Sequence, residues 1–238
     1  MKWRSLEESK SGPDTRSLRE IFAERKELIA QYVPAETQAI HARTIAELRE
    51  KHLADNVLRV GALVPRLELQ DHNGRLISAA DLLAKGPLVL CFIRGRWCPF
   101  CVGQMEAMNL LATQIAASGA AFVAISPQTV KHSFFMRDQH KLQFPLLSDT
   151  RNRVAREFHL VYRVPEVQED LYRRTFVNLP NVNGDDSWEL PIPATYIVGC
   201  DGIVLFASAS EDYTERPEPR DILNALNLNA LNRPSRQR

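Results

Sequence analysis

The chain has 238 residues, with 30 basic against 29 acidic side chains, 45% hydrophobic and 25% charged residues. This ordinary mix and formal charge of +1 give no basic footprint for nucleic acid and no polybasic anchor for a membrane. No run approaches the ~18 apolar residues of a membrane span, and four cysteines are too few for a disulfide scaffold. The length divides into one to two domains.

Residues 1–15 are polar and read as a loose tail. The start, MKWRSLEESKSGPDTR, lacks the apolar core of a secretory signal, so a reducing, cytoplasmic home is expected. From Leu18, apolar residues at Ile21, Phe22, Leu28, Ile29 and Tyr32 make one helical stripe. Pro34 breaks it, and Ile40, Ile45, Leu48 and Leu53 continue a weaker one. Residues 16–56 are therefore two helices or one kinked helix. They could clasp a partner and make a homodimer, but a helical extension packed on its own domain is the favoured reading.

The pattern changes at Gly61. Val64, Leu67 and Leu69 alternate, His72-Asn73-Gly74 is turn chemistry, and Leu76-Ile77 resumes, which reads as a β-hairpin. A short helix over 79–84 follows Ser78, and Gly86-Pro87 stops it. Leu88–Ile93 is continuously apolar, as in a strand buried on both faces. After the loop Arg94–Trp97, Cys98 opens a helix expected to run to about Ser118. Ala121–Ile125 is a second buried strand, 131–140 a helix, Phe144–Leu147 a short strand, and 152–158 a helix.

Residues 163–192 carry Pro165, Pro180, Gly184 and Pro191, with Pro193 just beyond. Little regular structure is expected there, and such a stretch is usually functional or mobile. Thr195–Val198 and Ile203–Ala207 form a closing hairpin around Asp201-Gly202, and 221–228 a last helix. The tail 231–238 is expected to be disordered. The alternation from Leu88 predicts one α/β domain over 60–230 with a mixed sheet, after an N-terminal tail and helical extension over 1–59.

Cys98-Pro99-Phe100-Cys101 stands at the first strand-to-helix junction, where such folds place their chemistry. The thiolate is the nucleophile, and a helix N-terminus can lower a cysteine pKa to roughly 3.5–7.5. Pro99 suits the first turn, where no N–H is needed. Cys98, at the helix start, is expected to be exposed and to attack. Cys101, one turn in, is expected to resolve. A zinc site would need four ligands, but Cys91 and Cys200 are single and no spaced histidine pair exists. Neither zinc nor any other cofactor is expected. A structural disulfide does not suit the compartment, and inert thiols remain the bland alternative.

Phe92–Cys101, FIRGRWCPFC, resembles the active-site loop of thioredoxin-fold oxidoreductases, with a centre close to the glutaredoxin type. Gly61–Pro65 with Leu67, Leu69, Asp71 and Gly74 is similar to the opening hairpin of the alkyl hydroperoxide reductase/thiol-specific antioxidant family, the peroxiredoxins. Phe144–Asp149, then Val154-Ala155 and Phe158, and Leu190–Val198 with Asp201-Gly202, resemble later segments of that family. Asp212–Pro219 resembles a segment of its peroxiredoxin-like subgroup. The resemblance spans about 60–228 and implies a thioredoxin-like fold: a mixed central sheet flanked by helices, plus the N-terminal helical extension.

This sequence departs from the family's Pro-x-x-x-Thr-x-x-Cys loop. Aligned by length from Phe92, the peroxidatic cysteine falls on Cys101, the proline on Arg94 and the threonine on Cys98. The family's active-site arginine falls on Pro193. That proline stands two residues before Thr195, where thioredoxin-fold proteins keep a cis-proline facing the dithiol, so Ile192-Pro193 is expected to be cis.

The resemblance implies a thiol-dependent antioxidant enzyme that reduces peroxides through a Cys98/Cys101 dithiol–disulfide cycle. A thioredoxin-like protein or glutathione would donate electrons. One alternative is a thioredoxin- or glutaredoxin-like disulfide reductase, which the missing Thr and Arg favour. The other is a non-enzymatic redox sensor. Arg94 and Arg96 could lower a thiolate pKa or hold a peroxide oxygen, or be solvated loop charges. Trp97 is expected to shield Cys98 and shape the substrate groove, Pro193 to face the dithiol, and Gly95 to permit a tight loop. Tyr213, Thr214 and Arg216 could close over the site, with no role assigned.

Overall fold

A computed structural model describes residues 16–175 and 177–231. The two tails, 1–15 and 232–238, lie outside the described residues.

The chain starts with α1 (Leu18–Tyr32) and α2 (Ala35–Glu50). Ser17 caps α1 in a reciprocal box with Glu20, which satisfies two otherwise orphan N–H groups. Pro34, extended at φ −52° and ψ 138°, separates the helices. A 3-10 turn over Leu53–Asn56 follows. The hairpin is β1 (Glu68–Asp71) and β2 (Leu76–Ser78), and α3 (Ala79–Leu83) leaves it. Then come β3 (Leu88–Phe92), α4 (Pro99–Leu110), α5 (Ala112–Ala117), β4 (Ala121–Ser126), α6 (Val130–Gln139), β5 (Leu146–Ser148) and α7 (Arg153–Glu157). The remainder is β6 (Val161–Arg163), α8 (Glu166–Arg174), α9 (Leu179–Asn183), β7 (Glu189–Pro191), β8 (Ala194–Val198), β9 (Val204–Ala209) and α10 (Pro219–Leu231).

Among the described residues, seven strands form one sheet in the order β2-β1-β5-β4-β3-β8-β9. The β3–β4 and β4–β5 pairs are parallel, and β8 runs antiparallel to β3. The sheet is mixed, as expected. The apolar run of β3 divides its side chains by the two-residue period of a strand. Leu88, Leu90 and Phe92 enter one core with Val123, Ile125 and Tyr196. Val89, Cys91 and Ile93 enter the other with Met105, Met108, Phe122 and Ile222. Helices α1, α4, α5 and α10 supply the second core; Leu48 of α2 and Tyr172 of α8 join the first. The N-terminal helices thus pack on their own domain, α1 against α4 and α2 against α8.

Three expectations need correction. The helix after Cys98 is two helices, because Leu111 leaves helical geometry at φ −102° and ψ 2°. The 163–192 stretch is largely ordered. Pro165 and Pro180 begin helices rather than break them, since a first-turn proline lacks only an N–H the helix would not bond. Gln168, Leu171 and Tyr172 form the buried face of α8. Ile192-Pro193 is trans, since no described peptide bond is cis. The Ile192 N–H bonds the Leu160 carbonyl at 2.8 Å, and the Pro193 carbonyl accepts from Ser210 at 3.3 Å. The chain runs extended from β7 into β8 between these two bonds, and a trans link serves that path.

Candidate active site

The site forms where β3 ends and α4 begins. The ladder continues one residue past β3, with Ile93 N–H on the Ile125 carbonyl at 2.8 Å. Gly95 then turns the chain at φ 138°, in the region that favours glycine. A side chain there would strike the Trp97 indole, 2.9 Å from Nε1. Cys98 is the N-cap of α4 and Pro99 its first residue. Cys101 follows within the first turn. The helix-start reading of the motif is therefore realised in the backbone.

The two thiols are not exposed. Cys98 is 1% and Cys101 0% accessible, which corrects the expectation that Cys98 is the better exposed of the pair. α1 covers one side: Phe22 packs edge-on against Phe100 at 5.0 Å, and Arg25 Nη1 donates to the Pro99 carbonyl. Tyr213 reaches Phe100 from another side at 5.9 Å.

The surroundings of the two sulfurs differ. Cys101 Sγ accepts the Arg94 backbone N–H at 3.4 Å and Arg216 Nη2 at 3.6 Å. The Cys98 thiol hydrogen-bonds to it as well. Burial pushes the Cys101 thiol up. The Cys98 hydrogen bond, the Arg216 and Arg94 charges and the Arg94 N–H outweigh burial and hold it down at about 5. For Cys98, burial acts with the hydrogen bond to Cys101 and the charge on it, and the thiol is pushed well up. Both of these donors, the Arg94 N–H and Arg216 Nη2, converge on Cys101, one turn inside the helix, rather than on Cys98 at its cap.

Arg94 is not a solvated loop charge; it is 1% accessible. Its guanidinium lies 4.8 Å over the Trp97 ring and 4.2 Å over the Tyr213 ring. Nη2 donates to the Tyr172 hydroxyl at 2.5 Å. Burial raises the pKa of Tyr162, Tyr172 and Tyr213, so the phenols around it are neutral. Among the described residues no carboxylate forms an ion pair with Arg94, and its charge acts to lower the pKa of both thiols. Half-buried Trp97 also packs on Tyr172, at 5.3 Å, so it both packs and walls the site. Arg96 turns outward instead: its Nε donates to His132 Nδ1 at 3.1 Å. Pro193 is buried at the entry to β8, and the residue of that strand joined to the site is Thr195, through Gln104.

Several contributors escape a reading of the sequence. His41 of α2 stacks at 6.1 Å from Tyr172 and 5.9 Å from Tyr213, and Gln168 holds its Nδ1 at 2.9 Å. Burial, with Arg94 nearby, pushes its pKa down to about 4, so it is neutral at physiological pH. Gln104, 1% accessible, links Arg216 to Thr195. Gln104 lies one turn beyond Cys101, so the spacing that marked Cys101 could have marked it. Tyr172 and His41 carry no such local signal.

A mixed central sheet flanked by helices on both faces, with a dithiol at a strand–helix junction, defines a thioredoxin-fold protein. Residues 60–207 match the model of the AhpC/TSA family, and the chain belongs to that family. Peroxiredoxin Q, chloroplastic, of Sedum lineare is 30% identical over 113 residues, 48% of this chain and 60% of that one. The chain spans about two thirds or less of the length of the curated relatives it matches. Peroxidoxin BcpB from Mycobacterium tuberculosis superposes with a TM-score of 0.57 at 23% identity, covering 72% of this chain and 97% of the other. A cysteine-to-serine mutant of PrxQ from Xylella fastidiosa gives 0.58 at 17% identity, covering 73% and 98%. These likenesses carry the fold. No helix among the described residues is long and apolar enough to cross a membrane.

Proposed function

We propose that the protein is a thiol peroxidase in which Cys101 attacks and Cys98 resolves. The observation that carries this is the unequal surroundings of the two sulfurs: Cys101 Sγ accepts the Arg94 N–H at 3.4 Å and Arg216 Nη2 at 3.6 Å, contacts that hold its pKa down, whereas burial pushes the Cys98 thiol up. On this reading Cys101 is the sulfur favoured as thiolate, and Cys98 keeps its proton until it resolves. Cys101 attacks one peroxide oxygen, and the O–O bond breaks with its electron pair leaving on the other oxygen as alcohol or water after protonation. Cys101 becomes sulfenic acid. The Cys98 sulfur, already in hydrogen-bond contact, then displaces hydroxide from Cys101, water leaves, and a disulfide closes. Two thiols of a donor, a thioredoxin-like protein or glutathione, reduce it. A reducing compartment such as the cytoplasm fits four free cysteines.

The position of threonine in the resembled loop is held by Cys98, whose thiol makes the hydrogen bond to Cys101. One observation favours disulfide exchange instead: Trp97-Cys-Pro-Phe-Cys sits at a helix N-cap, the thioredoxin arrangement. Burial argues against it, because a protein disulfide cannot reach sulfurs that are 0–1% accessible whereas a peroxide is small.

Mass spectrometry after limiting hydrogen peroxide and a sulfenate trap tests the order. The Cys98→Ser protein is expected to carry the trapped adduct on Cys101, and the Cys101→Ser protein none on Cys98. An adduct confined to Cys98 in the second protein would reverse the assignment. Turnover of peroxide with a reducing system, set beside insulin reduction, separates peroxidase from disulfide reductase and from a sensor that turns over neither.

A further inference from the structure

The family match covers 60–207, and among what lies outside it are the N-terminal helices and the connection from β9 to α10. These two segments are tied to one another. The Glu218 carboxylate accepts from the N–H groups of Leu18 and Arg19, at 3.0 and 2.8 Å, at the start of α1. Glu211 accepts from the Ala54 N–H at 2.7 Å. Arg49 of α2 stands 3.6 Å from both Asp212 and Glu215. Within the connection, Asp212 accepts the Thr214 N–H and hydroxyl at 2.9 and 2.6 Å. The connection is thus shaped by its own side chains and fastened to the N-terminal helices at both ends.

This frame delivers one half-buried guanidinium to the buried sulfur. Arg216 Nη2 donates to Cys101 Sγ at 3.6 Å, Nη1 to the Glu215 carbonyl at 2.7 Å, and Nε to Gln104 Oε1 at 2.8 Å. Gln104 is itself oriented, because its Nε2 donates to Thr195 Oγ1 at 3.3 Å. With the amide nitrogen engaged there, the oxygen faces Arg216. The arginine of the resembled pattern falls on Pro193, which has no charge. Arg94 is sealed beneath Trp97 and Tyr213. Arg216 alone of the two approaches the sulfur from a side that also meets solvent.

We propose that Arg216 is the catalytic guanidinium that holds Cys101 as a thiolate, and that Gln104, locked by Thr195, is its positioning residue. A planar fork suits the task, since it binds Gln104 with one edge and the sulfur with another. This rests on the reading above that Cys101 is the attacking sulfur. In that reading the same fork is placed to donate to the peroxide oxygen on which the electron pair departs.

The test is the midpoint of thiolate absorbance against pH, in protein carrying Cys98→Ser and Cys200→Ser so that Cys101 is isolated; Cys91 stays protonated, pushed up by burial to about 12. Arg216→Gln is expected to raise the Cys101 midpoint by roughly 1–3 units, the range for loss of an adjacent opposite charge. Arg216→Lys is expected to recover most of it. Gln104→Leu is expected to shift the midpoint in the same direction as Arg216→Gln, by less. Thr195→Val, with Thr195→Ser as the conservative variant, examines the same arm if Gln104→Leu does not fold: the valine is expected to shift the midpoint and the serine to leave it. An unmoved midpoint in the Arg216→Gln protein overturns the proposal. A midpoint moved by Arg216→Gln but not by Gln104→Leu or Thr195→Val overturns the positioning arm. These titrations need no peroxide. A parent protein no faster with hydrogen peroxide than a free thiol would remove the peroxidase reading and leave the Arg216 assignment standing.

Discussion

Cys98 and Cys101 are the same side chain one helical turn apart, and their neighbours make them opposites. The pair was legible in the sequence because Cys-x-x-Cys at a strand–helix junction has few other uses. The surroundings of each sulfur were not. Helix position favours the cap residue, whereas the guanidinium that reaches Cys101 comes from Arg216, 115 residues further along. A consequence follows for pH. The rate constant with hydrogen peroxide should be nearly flat at neutral pH and fall about tenfold per unit below about 5, where Cys101 protonates. A rate that instead rises tenfold per unit through neutrality toward an ordinary thiol pKa would put the nucleophile elsewhere. Arg94 was named as a loop charge that could act on a thiolate, but its burial depends on Tyr172 and Tyr213, which local sequence does not reveal. Arg94→Lys keeps the charge and loses the stacking over two rings. It should cost stability on the order of 1–3 kcal/mol in denaturant unfolding, and loss of only a few tenths would show that the cage does not depend on the fork.

At the scale of elements, the packing of α1 on α4 is what closes the site. Gly103 marks the contact: a Cβ there would lie 2.7 Å from Arg25 Nη1 and 2.9 Å from Phe22 Cε1. Gly103→Val should push α1 off α4, at about 1–3 kcal/mol for overpacking a close contact, and should raise the rate at which a bulky alkylating reagent reaches Cys101. Unchanged alkylation would mean that α1 does not guard the dithiol. The strands were the most legible elements, since the apolar runs 88–93 and 121–125 admit little else. α8 and α9 were missed because Pro165 and Pro180 read as breakers when they are helix starts. The periodicity of α8 lies in Gln168, Leu171 and Tyr172, a buried face that includes polar residues.

At the scale of the molecule, the N-terminal helices and the β9–α10 connection act as one clamp around the sheet and α4. Their stripe of apolar residues was readable, but their partners were not, because Glu218 meets Leu18 across 200 positions. The clamp should respond to acid. His41, with a folded pKa lowered to about 4 from 6.5, gives stability that is present above 6.5 and lost as pH falls toward 4. Cys101, lowered from 9.0 to about 5, gives stability present above 9.0 and lost as pH falls toward 5. Only the reduced protein has the second contribution. Urea midpoints of reduced and disulfide-closed protein, compared across this range, should therefore show the steeper fall with acid in the reduced form. Parallel curves would argue against a buried thiolate.

The central claim is that reduced Cys101 is a peroxide-reactive thiolate, and stopped-flow fluorescence tests it most directly. Trp97 precedes the dithiol and lies under the Arg94 guanidinium at 4.8 Å, so its emission should report a change of charge at the dithiol. Cys101→Ser protein controls for Trp3 and Trp188. Mixing pre-reduced protein with hydrogen peroxide should give a fast second-order signal that saturates at one equivalent and vanishes in the control. A response no faster than that of a free thiol would contradict the account.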